Sequence, residues 1–143
     1  MIVESFQGNI KSLSSHLASL TIPLEILTAT DAAAALSRLE KESPDLIIID
    51  TLLRGEMDGF DFCRAVRKSY PEKIPIILLL SGYLSLERYK GIAAGADLLL
   101  QKPVVKEELF NMVQLLLKGR FPEAENSRLA APANESVRRL HAV

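Results

Sequence analysis

The chain has no tryptophan, one cysteine and two histidines in 143 residues, and each scarcity removes a class of protein. A lone thiol, Cys63, cannot build an internal disulfide framework, and on the apolar side of a predicted helix it reads as a small buried hydrophobe. His16 and His141 are far apart and lack partners at metal-ligand spacing, so no zinc site is expected. Neither sign of charge is in excess: 17 basic residues face 18 acidic ones, which leaves no global field to attract nucleic acid or anionic lipid. The longest apolar run, Ile74 to Leu80, is far short of the roughly 20 residues that span a bilayer, and the N-terminus has no basic region ahead of an apolar core. These absences point to a soluble cytoplasmic protein without a nucleic-acid or membrane partner.

What is present is a regular alternation of elements. Hydrophobic residues make up 48% of the chain, ample for the core of one domain. Met1 to Val3 reads as a short strand ending at Glu4-Ser5, and Ile10, Leu13, Leu17 and Leu20 recur at helical spacing until Pro23. Leu24 to Leu27 reads as a second strand, and Asp31 as the N-cap of a helix whose stripe is Ala32, Ala35, Leu36 and Leu39. Pro44 ends that helix ahead of Asp45 to Gly59, where a run of leucine and isoleucine, apolar on both faces, stops abruptly at Asp50. A loop through Arg54-Gly55-Glu56 leads to Asp58-Gly59 and a third helix, with Phe62, Cys63 and Val66 inward, and Arg64, Arg67 and Lys68 on its solvated side.

Ile76 to Leu80 is a fourth strand that delivers Ser81-Gly82, followed by a helix near Leu86, Tyr89 and Ala93 that Gly95 closes in a left-handed turn. Leu98 to Leu100 is the fifth strand and ends at Gln101-Lys102-Pro103; the last helix carries Leu109, Met112, Val113 and Leu116. Five strands alternating with helices predict an α/β, doubly wound, parallel sheet with right-handed crossovers and helices on both faces. This domain covers residues 1–119. Residues 120–143 turn to alanine, proline, asparagine and charge and read as a flexible tail or linker.

In such sheets ligands bind outside the carboxyl ends of the strands, and there the polar residues Asp50, Ser81, Lys102 and Glu4 are expected to converge. A carboxylate can attack phosphorus to form an acyl phosphate. The phosphoryl oxygens then need fixed donors and cations, because positioning and electrostatics govern the step. Lys102 offers a point charge, Ser81 a hydroxyl donor, and Gly82 room for the group to approach. A divalent ion would complete the set, held by oxygens of Asp50, Glu4 and a backbone carbonyl near Leu52. Singly, these residues read as a strand-end cap, a loop hydroxyl and a surface lysine; jointly they read as a phosphoacceptor site.

These motifs carry a resemblance. With Met57-Asp58-Gly59 after the Asp50 strand, Ser81-Gly82, Gly95-Ala96-Asp97 and Lys102-Pro103, residues 1 to about 119 resemble a response-regulator receiver domain of two-component signalling, similar to the single-domain chemotaxis type. The resemblance implies strand order 2-1-3-4-5. It implies that Asp50 accepts phosphate from a histidine kinase or phosphotransfer protein with Mg²⁺ present, and that Ser81, Gly82 and Lys102 bind the phosphoryl group. It further implies that the surface around the fourth and fifth helices changes its affinity for a downstream protein partner or a second copy of the chain. Such a domain is a regulatory phosphoacceptor, with self-catalysed phosphotransfer and autodephosphorylation as its only chemistry.

The sequence departs from the family pattern at three places. The adjacent acids that hold Mg²⁺ align as Glu4-Ser5, so one carboxylate is missing and the metal is expected to bind weakly; two unit charges about 4 Å apart are worth up to about 4 kcal/mol at an effective dielectric near 20. The switch aromatic of the fifth strand is Leu99, and the proline after the phosphoacceptor is Arg54 in a longer loop. On the last helix, Phe110 and Leu117 lie off the main stripe and form an apolar seam, open to a partner or covered by the tail. The competing reading is a pseudo-receiver, the same fold acting as an interaction module without phosphorylation. A phosphohydrolase is weaker because Asp50-Thr51-Leu52 lacks a second acid, and a DNA-binding regulator weaker still because the tail is too short for a helix-turn-helix domain.

Overall fold

A computed structural model describes residues 1–70, 73–83 and 85–118. In chain order the elements are β1 (Ile2–Val3), α1 (Gln7–Ala18), β2 (Thr28–Ala29), α2 (Ala32–Leu39), β3 (Ile47–Asp50), α3 (Gly59–Ser69), β4 (Ile76–Leu80), α4 (Ser85–Ala94), β5 (Leu98–Gln101) and α5 (Lys106–Lys118). All strand pairs are parallel, in the order β2-β1-β3-β4-β5. The expected sheet and its order are therefore present. The tail proposed for residues 120–143 lies outside the described residues.

The three central strands explain the apolar runs. Every residue of β1, β3 and β4 is buried, because helices cover both sheet faces and leave no solvent side for polar residues. Burying each such leucine or isoleucine contributes about 1.5–3 kcal/mol before chain entropy is counted. The winding reverses at β1, which places α1 on the face opposite α2, α3 and α4 and opens a crevice at the carboxyl ends of β1 and β3.

The second strand is a correction. It is Thr28–Ala29, not Leu24 to Leu27: Ile2 N–H donates to Leu27 O at 2.7 Å and Glu4 N–H to Ala29 O at 3.0 Å, so the ladder begins where the apolar run ends. An edge strand is covered less completely, and here half of it is exposed, so apolar content does not mark it; Leu24, Ile26 and Leu27 pack against the core from outside the ladder. Helix α1 also stops at Ala18, well before Pro23, with Ser19 as its C-cap. Asp31 caps α2 as expected, accepting from Ala34 N–H at 2.8 Å.

Arg67 is a second correction. Arg64 and Lys68 are exposed, but Arg67 is not on a solvated face. Its guanidinium donates from Nε to Gly95 O at 2.8 Å, from Nη1 to Ile74 O at 2.6 Å and from Nη2 to Asp97 Oδ2 at 2.7 Å. Asp97 Oδ2 also accepts from Ile76 N–H at 2.8 Å, and Lys73 Nζ lies 2.6 Å from Asp97 Oδ1. This cluster fastens α3 to the amino ends of β4 and β5. Gly95 is required there twice over: its φ is +94°, and a methyl group at its Cα would lie 2.9 Å from Arg67 Cγ.

On α5 the buried line is Leu109, Val113 and Leu117. The expected seam of Phe110 and Leu117 is thus wrong at Leu117, which is 2% exposed: residues at i, i+4 and i+8 share a face, and Leu117 continues the line of Leu109 and Val113. Phe110 is half-buried under the Lys106 ammonium, 5.3 Å from the ring centroid. Exposed apolar side chains gather instead on and beside α4, at Tyr83, Leu86, Tyr89 and Ile92.

Candidate functional site at the carboxyl edge of the sheet

Parallel pairing of β1, β3, β4 and β5 brings their carboxyl ends to one edge, with Asp50 opposite Leu79 and Leu80 opposite Gln101. Asp50 is fully buried. Its Oδ1 accepts from Leu52 N–H at 2.7 Å and from Ser81 Oγ at 3.4 Å, while its Oδ2 receives the Lys102 ammonium. Backbone bonds hold these donors in place: Thr51 N–H to Leu79 O at 3.0 Å, and Lys102 N–H to Leu80 O at 2.9 Å. The Lys102–Pro103 peptide that follows is cis.

Gly59 sets the loop beyond Asp50. Its N–H donates to Thr51 O at 3.1 Å, and a methyl group at its Cα would fall 2.2 Å from Asp50 O. Only glycine allows α3 to begin so close to β3. Asp58 caps that helix, accepting from Asp61 N–H at 2.8 Å.

Glu4 is the second buried acid, 1% exposed. Its Oε1 accepts from Phe6 N–H and its Oε2 from Asn9 Nδ2, both at 3.0 Å, and Lys102 Nζ stands 4.0 Å from Oε2. Burial, reinforced by the neighbouring Asp50, holds the Glu4 carboxyl above the usual carboxylate range, against the opposing pull of the Phe6 and Asn9 hydrogen bonds. Two buried acids thus share one ammonium, whose side chain keeps a quarter of its surface in solvent. The hard oxygens of Glu4, Asp50 and the Leu52 carbonyl suit Mg²⁺, which tolerates few protein ligands and keeps its own waters. Among the described residues no cluster of three or more His, Cys, Asp or Glu side chains could hold a metal, so two carboxylates carry the charge of this set.

Ser5 is not available to that ligand set. Its hydroxyl donates to Thr30 O at 2.9 Å and accepts from Arg54 N–H at 2.8 Å, tying the end of β1 to the β2–α2 turn and to the loop after β3. The Arg54 guanidinium in turn lies over the Phe6 ring, 5.2 Å from its centroid, and the Arg54 backbone forms an isolated parallel β-bridge with that of Asp31. The Ser5 hydroxyl and the Arg54 backbone amide thus staple this loop to the end of β1. A groove of about 480 Å³ beside this staple is lined by Asp31, Ala32, Ala33, Leu36, Arg54, Gly55, Glu56 and Met57, none of them in the Asp50 cluster.

Leu99, the expected switch position, is half-buried directly beneath α4: a methyl group at Gly91 would lie 2.6 Å from Leu99 Cδ2 and 3.1 Å from Leu78 Cδ2. Two residues of the site went unmarked in the sequence. One is Asn9, whose amide orients Glu4 and whose place in the first turn of α1 was its only signal. The other is Glu87, whose Oε2 accepts from Gly82 N–H at 2.7 Å; an acid in the first turn of a helix is favoured by the helix dipole, and that was the clue available.

A parallel sheet of this order, with an acid, a hydroxyl and an ammonium meeting at its switch point, defines a flavodoxin-like fold. The chain belongs to the response regulator receiver domain family, which matches residues 1–114. It is similar to the phosphate regulon transcriptional regulatory protein PhoB of Rhizobium meliloti, 36% identical over 107 residues, covering 74% of this chain and 47% of that protein. It spans about half, or less, of the length of the curated relatives it matches. Among solved structures it resembles chemotaxis response regulator CheY4 of Vibrio cholerae, with TM-score 0.70, 31% identity, and coverage of 81% of this chain and 95% of that one. It also resembles the signal receiver domain of an HD domain-containing protein from Pseudomonas fluorescens Pf-5, with TM-score 0.75, 28% identity, and coverage of 83% and 93%. The chain is therefore a receiver domain of two-component response regulators, a regulatory class. Among the described residues no helix is long and apolar enough to cross a membrane.

Proposed function

We propose that this receiver domain takes a phosphoryl group from the phosphohistidine of a histidine kinase or phosphotransfer protein onto Asp50, in the cytoplasm, and relays the signal by protein contacts. The observation that carries the proposal is the Asp50 carboxylate, fully buried, with one oxygen on the Leu52 amide and near Ser81 Oγ and the other on the Lys102 ammonium. An Asp50 oxygen attacks phosphorus, the P–N bond to the histidine breaks with the nitrogen as leaving group, and the Lys102 ammonium turns from Asp50 Oδ2 to the transferred phosphoryl oxygens as their counter-charge. Ser81 Oγ and the Gly82 N–H supply hydrogen bonds to the same oxygens. Mg²⁺, held by Glu4, Asp50 and the Leu52 carbonyl, would neutralise charge on the phosphoryl group when bound, weakly because Ser5 adds no charge. The exposed apolar surface of α4 is the partner face, for a downstream protein or a second copy of the chain.

The second reading is a pseudo-receiver that binds its partner without phosphorylation. The Ser5 hydroxyl favours it, being committed to Thr30 O and Arg54 N–H instead of a metal. Incubation with a small-molecule phosphodonor and Mg²⁺, read by intact mass, separates the two. The phosphoacceptor reading expects one phosphoryl group on the wild type and none on Asp50→Asn. An unchanged wild-type mass, beside a labelled control receiver, leaves the pseudo-receiver.

A further inference from the structure

The Gly82 amide already has an anion on it. Glu87 reaches back from the first turn of α4 and its Oε2 accepts the Gly82 N–H at 2.7 Å. The contact is close on every side: a methyl group at Gly82 would lie 2.9 Å from Glu87 Oε2 and 3.1 Å from Oε1. Gly82 follows Ser81, whose hydroxyl is 3.4 Å from Asp50 Oδ1, so this amide borders the space that a phosphoryl group on Asp50 would enter. A carboxylate on a backbone N–H makes a charge-assisted bond, and one amide proton cannot serve two anions equally well.

We infer that Glu87 is a tethered competitor of the phosphoryl group for the Gly82 amide, and that phosphorylation of Asp50 expels the Glu87 side chain and frees the first turn of α4. The inference rests on the phosphoacceptor reading above and adds to it a route from the site to the output helix. That route does not need an aromatic at the switch position. Leu99 is held beneath α4 at Gly91, where there is no room for even a methyl group, so this end of the helix is fixed to the sheet. The Glu87 end is held by a hydrogen bond that an anion can replace. The freed turn carries Leu86 beside Tyr83, both exposed, so the change is felt on the apolar partner face. Glu87 bonds to the Gly82 amide and not to the Asp50 carboxylate or the Lys102 ammonium, and acts as a positioning residue.

The test uses beryllofluoride with Mg²⁺ as the phosphoryl mimic on the whole chain, with wild type, Glu87→Gln and Glu87→Ala. The Gly82 amide resonance is followed by NMR, and unfolding midpoints confirm that each variant is folded. Removing the competing carboxylate is expected to tighten beryllofluoride binding about tenfold, the equivalent of one modest hydrogen bond to a charged group. In the metal-free state the Gly82 amide proton should move upfield in both variants, and beryllofluoride should bring all three proteins to a common Gly82 shift. Unchanged or weaker binding in Glu87→Gln, or a Gly82 resonance that the substitution does not move, would overturn the inference. Failure of the wild type and both variants alike to bind the mimic would also overturn it, together with the phosphoacceptor reading. Wild-type binding without a Glu87 effect would overturn the inference alone.

Discussion

The two edges of the sheet each hold a cluster of charge, and they are built on opposite terms. At the amino edge Arg67 and Asp97 are matched: three guanidinium bonds, a backbone N–H and the Lys73 ammonium satisfy both partners. At the carboxyl edge two buried acids share Lys102, and burial pushes the Glu4 proton affinity up. The first cluster is complete and joins elements; the second sets two buried acids against one ammonium. The comparison teaches that the two clusters differ in the ratio of cations to acids, two cations to one acid at the amino edge and one cation to two acids at the carboxyl edge.

The sharpest way to break the comparison is at the amino edge. Asp97→Ala removes the counter-charge of Arg67 and leaves its Nη2 and the Ile76 N–H without their acceptor, and should cost about 3 kcal/mol in urea unfolding, while labelling of Asp50 persists in the folded fraction. Loss of labelling with unchanged stability would invert the roles of the two edges. At the carboxyl edge Gly59→Ala drives a methyl group into Asp50 O and should cost about 2 kcal/mol, with labelling reduced because the Asp50 backbone must move.

Glu4→Gln should do the reverse. A carboxyl whose folded pKa is raised binds its proton more tightly folded than unfolded. Its stabilising contribution is therefore full below the unfolded pKa and is lost as pH rises through the raised one. In metal-free buffer at neutral pH the glutamine variant should be more stable by about 1 kcal/mol, roughly 4 °C in Tm, and should lack that decline, while Mg²⁺ binding weakens further. A loss of stability on this substitution would mean that the charge of Glu4 is fully compensated. The smallest effect is at Cys63. Its thiol, pushed up to about 12 chiefly by burial, should resist alkylation at pH 8 in the native protein and react once the chain is unfolded.

The central strands were legible in the sequence because burial on both faces forces an uninterrupted apolar run, as in β3 up to Ile49 and in Ile76–Leu80. The carboxyl-edge residues were legible because each such run ends in a polar group, and the sheet has no choice but to bring those ends together. Thr28–Ala29 was not, since an edge strand is specified by the partner's hydrogen bonds and not by its own side chains. Arg67 was not, because periodicity marks the face a charge lies on and is silent about carbonyls contributed by Ile74 and Gly95 from elsewhere in the chain. Asn9 and Glu87 are polar residues in first turns of helices, ordinary in that position, and their roles depend on what those turns approach in space. Ser5 was read as a missing ligand; the structure adds what stands in its place, a staple between β1 and the loop after β3.

The most direct measurement compares the unfolding midpoint of the wild type and Asp50→Asn with Mg²⁺ alone and with Mg²⁺ plus beryllofluoride. A ligand at about a hundredfold excess over its Kd stabilises the folded state by about 2.7 kcal/mol, so a receiving carboxyl edge predicts a clear upward shift in the wild type on adding beryllofluoride and none in Asp50→Asn. No shift in the wild type, or an equal shift in both, would contradict the assignment of the carboxyl edge to phosphoryl binding.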